Sequence, residues 1–472
     1  MKYFTLFVFL LFVSCSTDKI SAVTNNNQDS EDNQSGQAEE KSLIEDDIYT
    51  IDGYDNANVE VKGLSSLILK GKLDDVLVES TVNLVGNDAW LYFPNITYQQ
   101  WKSENLAAKI KIDSNTLEEG KNAEVIRFYN GIYIKPVSSD YIPLVLYKDN
   151  DEKSYSVNLD RIYIKDEIPV GDNAISKFML KRGHMLVMAD NPDGTGESKV
   201  FIADEKNLEI FLDDALNGKV SFIRVVPWAY ITKKGIGGNF NKKDEIGISW
   251  SYSWSLKGEA TAFDDYVPMF WGNSSDEGVN QVLQKTLTNH VLSFNEPDGK
   301  DQSNLTPEKA LERYPKLLEL GLRIGSPACT EGKWKTWLAE FMDGCKQKGY
   351  RVDFIAIHWY DWGNWGSTKN PSPENIDAMV ERFKKDIDNC YAKYGLPIWI
   401  TEFNANRNRL TEVQIKFLEK ALPMLEAHPH VERYAYFQPF GGNGNFIIDG
   451  NLTNVAKAYA RTISTPAYNG NK

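Results

Sequence analysis

The chain changes its hydrophobic rhythm twice. From about Asp46 to Val137 apolar and polar residues alternate over short runs. Ser65-Ser66-Leu67-Ile68-Leu69-Lys70, Val76-Leu77-Val78-Glu79-Ser80 and Ile132-Tyr133-Ile134-Lys135 are bounded by Gly, Asp and Asn. Period-two alternation with turn residues at both ends predicts β-strands, here a β-sandwich-like domain. Tyr141 to Pro227 then reads as a duplicated unit. Pro143–Asn150 matches His184–Asn191, Ser154-Tyr155-Ser156 matches Gly196-Glu197-Ser198, and Asp172–Phe178 matches Asn217–Ile223. The offset is roughly 41 to 45 residues, an internal repeat of one supersecondary unit. Lys233–Asn239 is Gly-rich and has no apolar period, which reads as a domain boundary.

After about Asp244, short apolar runs alternate with amphipathic stretches. Strands are expected at Ile246–Trp250, Val267–Trp271, Val291–Phe294, Arg323–Ser326, Phe354–His358, Ile398–Thr401 and Tyr434–Phe437. Helices are expected over Thr306–Leu320, where Pro307 stands at the start, over Ser372–Tyr394 and over Thr411–Ala427. Strand–helix alternation over some 220 residues predicts a parallel sheet closed as a (β/α)8 TIM-type barrel. Seven strands are clear. An eighth is expected near Asn445–Ile448, in degenerate form, or between Ser255 and Asp265.

The 472 residues divide on this reading into an export signal with lipobox (1–15), a disordered tether (16–42), a β-rich accessory domain (43–138), the duplicated unit (139–235) and the barrel (240–466). The export signal rests on Lys2, the apolar run Leu6–Val13, too short to span a bilayer, and the small Ser14 before Cys15. Phe12-Val13-Ser14-Cys15 resembles a bacterial lipobox, although Phe12 stands where Leu is usual. Cys15 is the expected lipidation site, and a lipoprotein of the bacterial outer membrane or cell surface is the expected location. The tether is too poor in large apolar residues to bury a core.

The charge is −14, from 66 Asp and Glu against 52 Lys and Arg. Such a chain repels phosphate backbones, so nucleic acid is not an expected partner, whereas a neutral polymer meets no such barrier. Aromatic residues make up 12%, with 12 Trp and 23 Tyr. Flat rings with polar edges suit the faces of sugars. Besides Cys15 the cysteines are Cys329, Cys345 and Cys390. No C-x-x-C pair occurs, so a structural zinc site is not expected, and both one disulfide and three buried thiols remain open. None of the five His pairs at metal-ligand spacing, so metal-assisted hydrolysis is not expected and no cofactor is needed.

Two strings carry the chemistry: Ser293-Phe294-Asn295-Glu296-Pro297-Asp298 and Trp399-Ile400-Thr401-Glu402-Phe403. Each sets one glutamate directly after an apolar, strand-like run. Two carboxylates from separate strand ends are what cleavage of a glycosidic bond requires. Glu296 is expected to be the general acid and then base, its pKa raised by an apolar setting and by the charge of Glu402. Glu402 is the expected nucleophile. Asn295 stands where an amide can hold the sugar 2-hydroxyl, and His358 or Tyr360 could keep Glu402 ionised and aimed. Trp250, Trp254, Trp271, Trp359, Trp362, Trp365 and Phe437 fall at or beyond strand ends. Trp271 and Trp362 are the expected sugar platforms, with Trp250, Trp254 and Phe437 as further substrate contacts.

Phe294–Asp298, Gly325–Ala328, Asp353–Tyr360 and Pro397–Phe403 together resemble family 128 of the glycoside hydrolases, over about Asp244 to Thr465. The resemblance implies a retaining endo-β-1,3-glucanase with Glu296 as acid/base and Glu402 as nucleophile, acting on a β-glucan polysaccharide or oligosaccharide, expected to be a monomer. The alternatives are a non-catalytic cell-surface glucan-binding protein, or a hydrolase of another β-linked polysaccharide. The duplicated unit resembles the paired Greek keys of the βγ-crystallin family, which can bind calcium. Here Lys177 and Phe222 replace the final Ser of that pattern and Gly218 replaces an Asn or Asp, so a metal-free pair is expected.

Overall fold

The computed structural model describes residues 42–45, 48–51, 59–70, 81–148, 153–159, 161–362, 372–438, 442–468 and 470. The expected lipidation site Cys15, the tether up to residue 41, the strand at 76–80 and Trp365 lie outside them, while Ser42, the tether's last expected residue, opens the first strand. No helix among the described residues is long and apolar enough to cross a membrane.

The first domain corrects the β-sandwich expectation. Successive strands cross from one sheet to the other and back. One sheet runs Ser42–Glu45, Val59–Lys62, Val82–Val85, Ile110–Ile112, Asn115–Thr116. The other runs Ile48–Ile51, Ser66–Leu69, Trp90–Phe93, Gly131–Pro136, Ala123–Phe128. Neighbours in a sheet are therefore parallel until the last turns, as in a flattened coil. Alternation along each strand is the same in a coil and in a sandwich, so the sequence pattern could not separate them. Leu67, Val82, Leu84, Leu91, Phe93, Ile110 and Trp101 fill the space between the sheets.

In the duplicated region two four-stranded antiparallel sheets face each other. The first orders Ser154–Val157, Leu144–Tyr147, Lys177–Leu180, Leu208–Phe211, and the second Ile162–Ile164, Phe222–Pro227, His184–Ala189, Ser198–Ala203. Each repeat lends its third strand to the other's sheet, so neither repeat completes its core alone.

Eight parallel strands follow, here β1 to β8: Lys234–Gly237, Trp250–Tyr252, Asp265–Tyr266, His290–Val291, Arg323–Ile324, Ile355–Trp359, Ile398–Phe403 and Val431–Phe437. β3-β2-β1-β8-β7-β6 form one sheet and β4-β5 another. Parallel bridges Met269–Leu292, Gly325–Phe354 and Cys329–Ile357 join the two at both seams, so pairing runs round the ring and returns to β1. The strand missing from the sequence reading is thus Lys234–Gly237, and the barrel begins before residue 240. The Gly-rich run looked like a boundary because its side chains had to be absent: a Cβ on Gly235 would sit 2.3 Å from the Trp250 ring. Neither expected location of the eighth strand holds. Ile447–Ile448 pairs only in a two-residue hairpin with Asn451–Leu452, and the 255–264 segment is a loop up to β3.

Helices outside the ring follow the sequence closely. One spans Pro373–Tyr394, capped by Ser372 and ended by Gly395 at φ 66°, and another spans Thr411–Ala427. The stretch expected as a single helix over Thr306–Leu320 is two, Pro307–Arg313 and Pro315–Leu318. Pro315 has no N–H to carry the ladder across. Inside the ring, Trp250, Tyr252, Met269, Leu292, Phe354 and Trp399 pack as one cluster, with Phe354 stacked on Trp399 at 3.9 Å. Beneath them Arg433 pairs with Asp265 at 2.6 Å, and Arg323 holds Glu432 at 2.6 and 3.0 Å. All three cysteines of the barrel are buried free thiols, which settles the disulfide question left open above.

Replacing Gly235 with Ala therefore forces a methyl into the Trp250 ring. We expect a loss of about 1–3 kcal/mol, the usual range for overpacking, read as a lower urea midpoint. An unchanged midpoint would contradict the placement of Lys234–Gly237 in the ring.

Candidate active site

Because all eight strands run the same way, their C-terminal ends share one rim, and the loops that follow can differ without disturbing the packed interior. Glu296 follows β4, His358 lies near the end of β6 with Tyr360 just past it, and Glu402 lies near the end of β7. β6 and β7 slip register between Ile357 and His358, and this sets His358 directly beside Glu402. A bulge at that point re-aims the side chains that follow it. Glu296 itself has φ 39°, a left-handed backbone that non-glycine residues seldom adopt. Its amide donates to the Ala328 carbonyl at 2.7 Å, and its carbonyl accepts from Gly299 at 2.9 Å, so both sides of the turn are pinned.

The two glutamates, far apart in sequence, meet. One oxygen of each and a His358 ring nitrogen all lie within 4.8 Å of one another. His358 Nδ1 is 2.9 Å from Glu296 Oε1, and Nε2 is 3.6 Å from Glu402 Oε1. This corrects the expected role of His358: its hydrogen bond goes to Glu296 and not to Glu402. Glu402 has other donors. Trp254 Nε1 donates to Oε1 at 2.8 Å, Tyr360 OH donates to Oε2, and Tyr252 OH is 3.4 Å from Oε1. The residue is 5% exposed, so these bonds replace nearly all its water.

The charges correct a second expectation. Burial pushes the Glu296 carboxyl up, but the hydrogen bond and positive charge of His358 outweigh it, and the net shift is downward. Burial would lower His358, yet the Glu402 charge and then the Glu296 hydrogen bond and charge carry it above its ordinary value. Without substrate, the proton of this pair rests on the imidazole. Tyr360 is pushed well up, by burial first and then by Glu402, so its hydroxyl stays a donor. These three side chains, Glu296, His358 and Glu402, are the one group among the described residues with the make-up of a metal site. Trp254, Tyr360 and His358, however, point N–H and O–H donors at the carboxylates, where a cation would need free lone pairs.

The aromatic residues divide. Trp271 is 40% and Trp362 44% exposed at the rim, as platforms require. Trp254 is a donor to Glu402, and Phe437 packs edge-on against both Trp254 and Tyr360. Trp250 is contradicted as a substrate contact: it is fully buried inside the ring, and its Nε1 donates to the Lys233 carbonyl. Trp359 stacks on Phe383 under the helices, at 4.3 Å. Asn295 Nδ2 reaches Gln302 at 3.3 Å, while its buried Oδ1 has no partner among the described residues. A cleft of about 530 Å³ runs between Trp254 and Trp271, lined also by Lys257, Asn273, Gln281 and Ser303.

Two site residues escaped the sequence reading. Tyr252 carried a signal: positions 250, 252 and 254 are all aromatic at strand spacing, so they point to one side. Glu331 follows β5 closely, and a strand-end carboxylate was the very feature sought elsewhere. Its Oε2 accepts the backbone N–H of Tyr360 at 2.6 Å and of Trp362 at 3.3 Å, clasping the loop that holds both.

Residues 228–459 match the family model described as glycosyl hydrolase catalytic core. The match starts ahead of Lys234, in accord with β1. Among curated proteins, the alkali-sensitive linkage protein 1 of Schizosaccharomyces pombe is 32% identical over 265 residues, 51% of this chain and 44% of that protein. A β-xylosidase of Caldicellulosiruptor saccharolyticus is 27% identical over 151 residues, 28% of this chain and 30% of that one. The chain therefore spans less than half the length of either. Solved structures similar to it include a family 128 subgroup I endo-β-1,3-glucanase from Amycolatopsis mediterranei with laminaritriose, 29% identical, covering 48% of this chain and 98% of that one, TM-score 0.43. A family 128 subgroup III curdlan-specific exo-β-1,3-glucanase from Blastomyces gilchristii with glucose is 32% identical, covering 49% and 98%, TM-score 0.39.

Glu331 generates a pH prediction. Burial, with a smaller push from Asp361 and Asp386, raises its carboxyl from 4.5 to about 7 against the lowering by the two backbone bonds. A raised acid stabilises the fold fully below its unfolded value, and that contribution is lost as pH climbs from 4.5 through 7. Glu331→Gln should flatten this part of the stability curve, by at most about 3 kcal/mol. Thermal midpoints between about pH 4 and 8 check it; parallel curves for the two proteins would contradict it.

Proposed function

We infer that this glycoside hydrolase cleaves β-1,3-glucan internally and with retention of anomeric configuration. The carrying observation is the gap between the carboxylates. Retaining enzymes set the two groups about 5–5.5 Å apart, whereas inverting enzymes need about 6.5–9.5 Å to admit a water. One oxygen of Glu296 lies within 4.8 Å of one of Glu402, closer than the spacing an inverting pair needs, and this supports the retaining reading.

Glu402 attacks the anomeric carbon while Glu296 protonates the departing glycosidic oxygen, giving a covalent glycosyl-enzyme and a free sugar end. Glu296, now a carboxylate, takes a proton from water, whose oxygen displaces Glu402. Trp254 and Tyr360 aim the carboxylate before it attacks and stabilise the negative charge that returns to it when water breaks the glycosyl bond. The proton resting on His358 reaches the leaving oxygen by way of Glu296, and substrate that expels water from the cleft favours that transfer by making the ion pair less stable. The unpartnered Asn295 Oδ1 is suited to a sugar hydroxyl, whose arrival would satisfy a buried acceptor. The β-1,3 linkage rests on the resemblance to family 128 that the motifs around Asn295-Glu296-Pro297 and Thr401-Glu402-Phe403 carry, and internal cleavage on the open cleft that starts at Trp254, the donor to Glu402.

Purified protein should release reducing ends from laminarin. Glu402→Gln and Glu296→Gln should each lower turnover by about a thousandfold or more, with glucan binding retained. Full activity in either variant would overturn the assignment. Wild-type protein that binds laminarin without cutting it would favour the glucan-binding alternative, and cleavage confined to other glycans in a polysaccharide panel would move the linkage.

A further inference from the structure

We propose that the first β domain braces the loop 253–264, holding it in the position from which Trp254 reaches Glu402. This loop joins β2 to β3. At its start Trp254 has φ 53° and donates to Glu402. Ser255, Leu256 and Lys257 then form one side of the cleft that faces Trp271. The barrel secures parts of the loop. Lys285 donates to the Gly258 carbonyl at 2.7 Å, Tyr266 OH donates to the Ser255 carbonyl at 2.8 Å, and Lys243 pairs with Asp264.

The tip belongs to the other domain. The Arg127 amide donates to the Ala262 carbonyl at 2.9 Å, and its guanidinium Nε donates to the Phe263 carbonyl. The Phe263 ring stacks on Tyr98 with centroids 4.0 Å apart and packs against the core of the first domain. That domain is in turn stitched to the barrel. Phe128 bridges to Tyr230, the Tyr129 amide donates to the Tyr230 carbonyl at 2.8 Å, and Asn130 donates to the Ser464 carbonyl at 2.8 Å. A loop of about a dozen residues left without its tip contacts regains conformational entropy, and a residue at positive φ is the first place for it to relax. Arg127 is thus a positioning residue. It touches neither substrate nor the acids and acts through Trp254.

The effect on turnover rests on the glucanase reading, so two measurements are needed. In Arg127→Ala, backbone amides of 253–264 should exchange with deuterium at least about tenfold faster, with those of β6 and β7 unchanged. On laminarin, kcat should fall about tenfold with little change in KM. In a Trp254→Phe background the same substitution should cost almost nothing further, since the group it positions is already gone. Unchanged exchange in the loop, or rate losses that simply multiply in the double variant, would overturn the proposal. If Arg127→Ala does not fold, Tyr98→Leu removes the ring under Phe263 and carries the same test. The exchange measurement needs no substrate, so an enzyme inactive on laminarin would sink the glucanase reading without touching this one.

Discussion

Two carboxylates with oxygens within 4.8 Å of each other, one of them almost fully buried, repel. At an effective dielectric constant of about 20 the cost is about 3 kcal/mol, and it rises as the cleft dries. His358 resolves this conflict. Its imidazole is buried against Glu296 on one side and near Glu402 on the other, and the pair of negative charges draws a proton onto it. On the proposed mechanism, the arrangement stores a proton one hydrogen bond away from Glu296, the acid that would deliver it. It also explains why Glu296 is lowered when free although a general acid is needed: Glu296 and His358 titrate as a unit, and the proton belongs to the pair.

That unit depends on the ring beneath it. Closing eight short strands brings the ends of β4, β6 and β7 to one rim, and the slip between β6 and β7 sets His358 beside Glu402. The interior is layered. Ion pairs of Arg323, Arg433, Glu432 and Asp265 form the floor, and the rings of Trp250, Phe354 and Trp399 fill the middle. Such a floor is costly to desolvate, and breaking one partner of a buried pair leaves a stranded charge. Its value here is a polar lower end held in a single arrangement, on which the aromatic layer and then the acids are stacked.

Much of the site was legible because carboxylates after apolar runs are rare and chemically pointed. Glu296, Glu402, Asn295, Tyr360 and the exposed Trp271 and Trp362 all fall at the rim where the alternation of strands and helices placed them. What failed did so for identifiable reasons. β1 carries Gly235, whose missing side chain makes room for Trp250, and Gly237, which lies against Tyr252 and Trp254, and the two glycines erase the apolar pattern. Trp250 itself looked like a strand-end platform because an apolar run and an aromatic residue type do not tell which end of a short strand a ring occupies. The direction of the Glu296 shift turned on which glutamate His358 would face, a matter of register that no single sequence reveals. The first domain's coil hid behind a period-two pattern shared by most β-structures.

The central claim is that Glu402 becomes covalently bonded to sugar while Glu296 serves the proton. Incubation with a 2-deoxy-2-fluoro-β-glucosyl or laminaribiosyl donor carrying a good leaving group should trap that species, because the fluorine slows its hydrolysis. Mass spectrometry of the digested protein should then find the glycosyl mass on the peptide containing Glu402. A label on a different residue, or steady turnover to the inverted anomer with no adduct, would contradict the account.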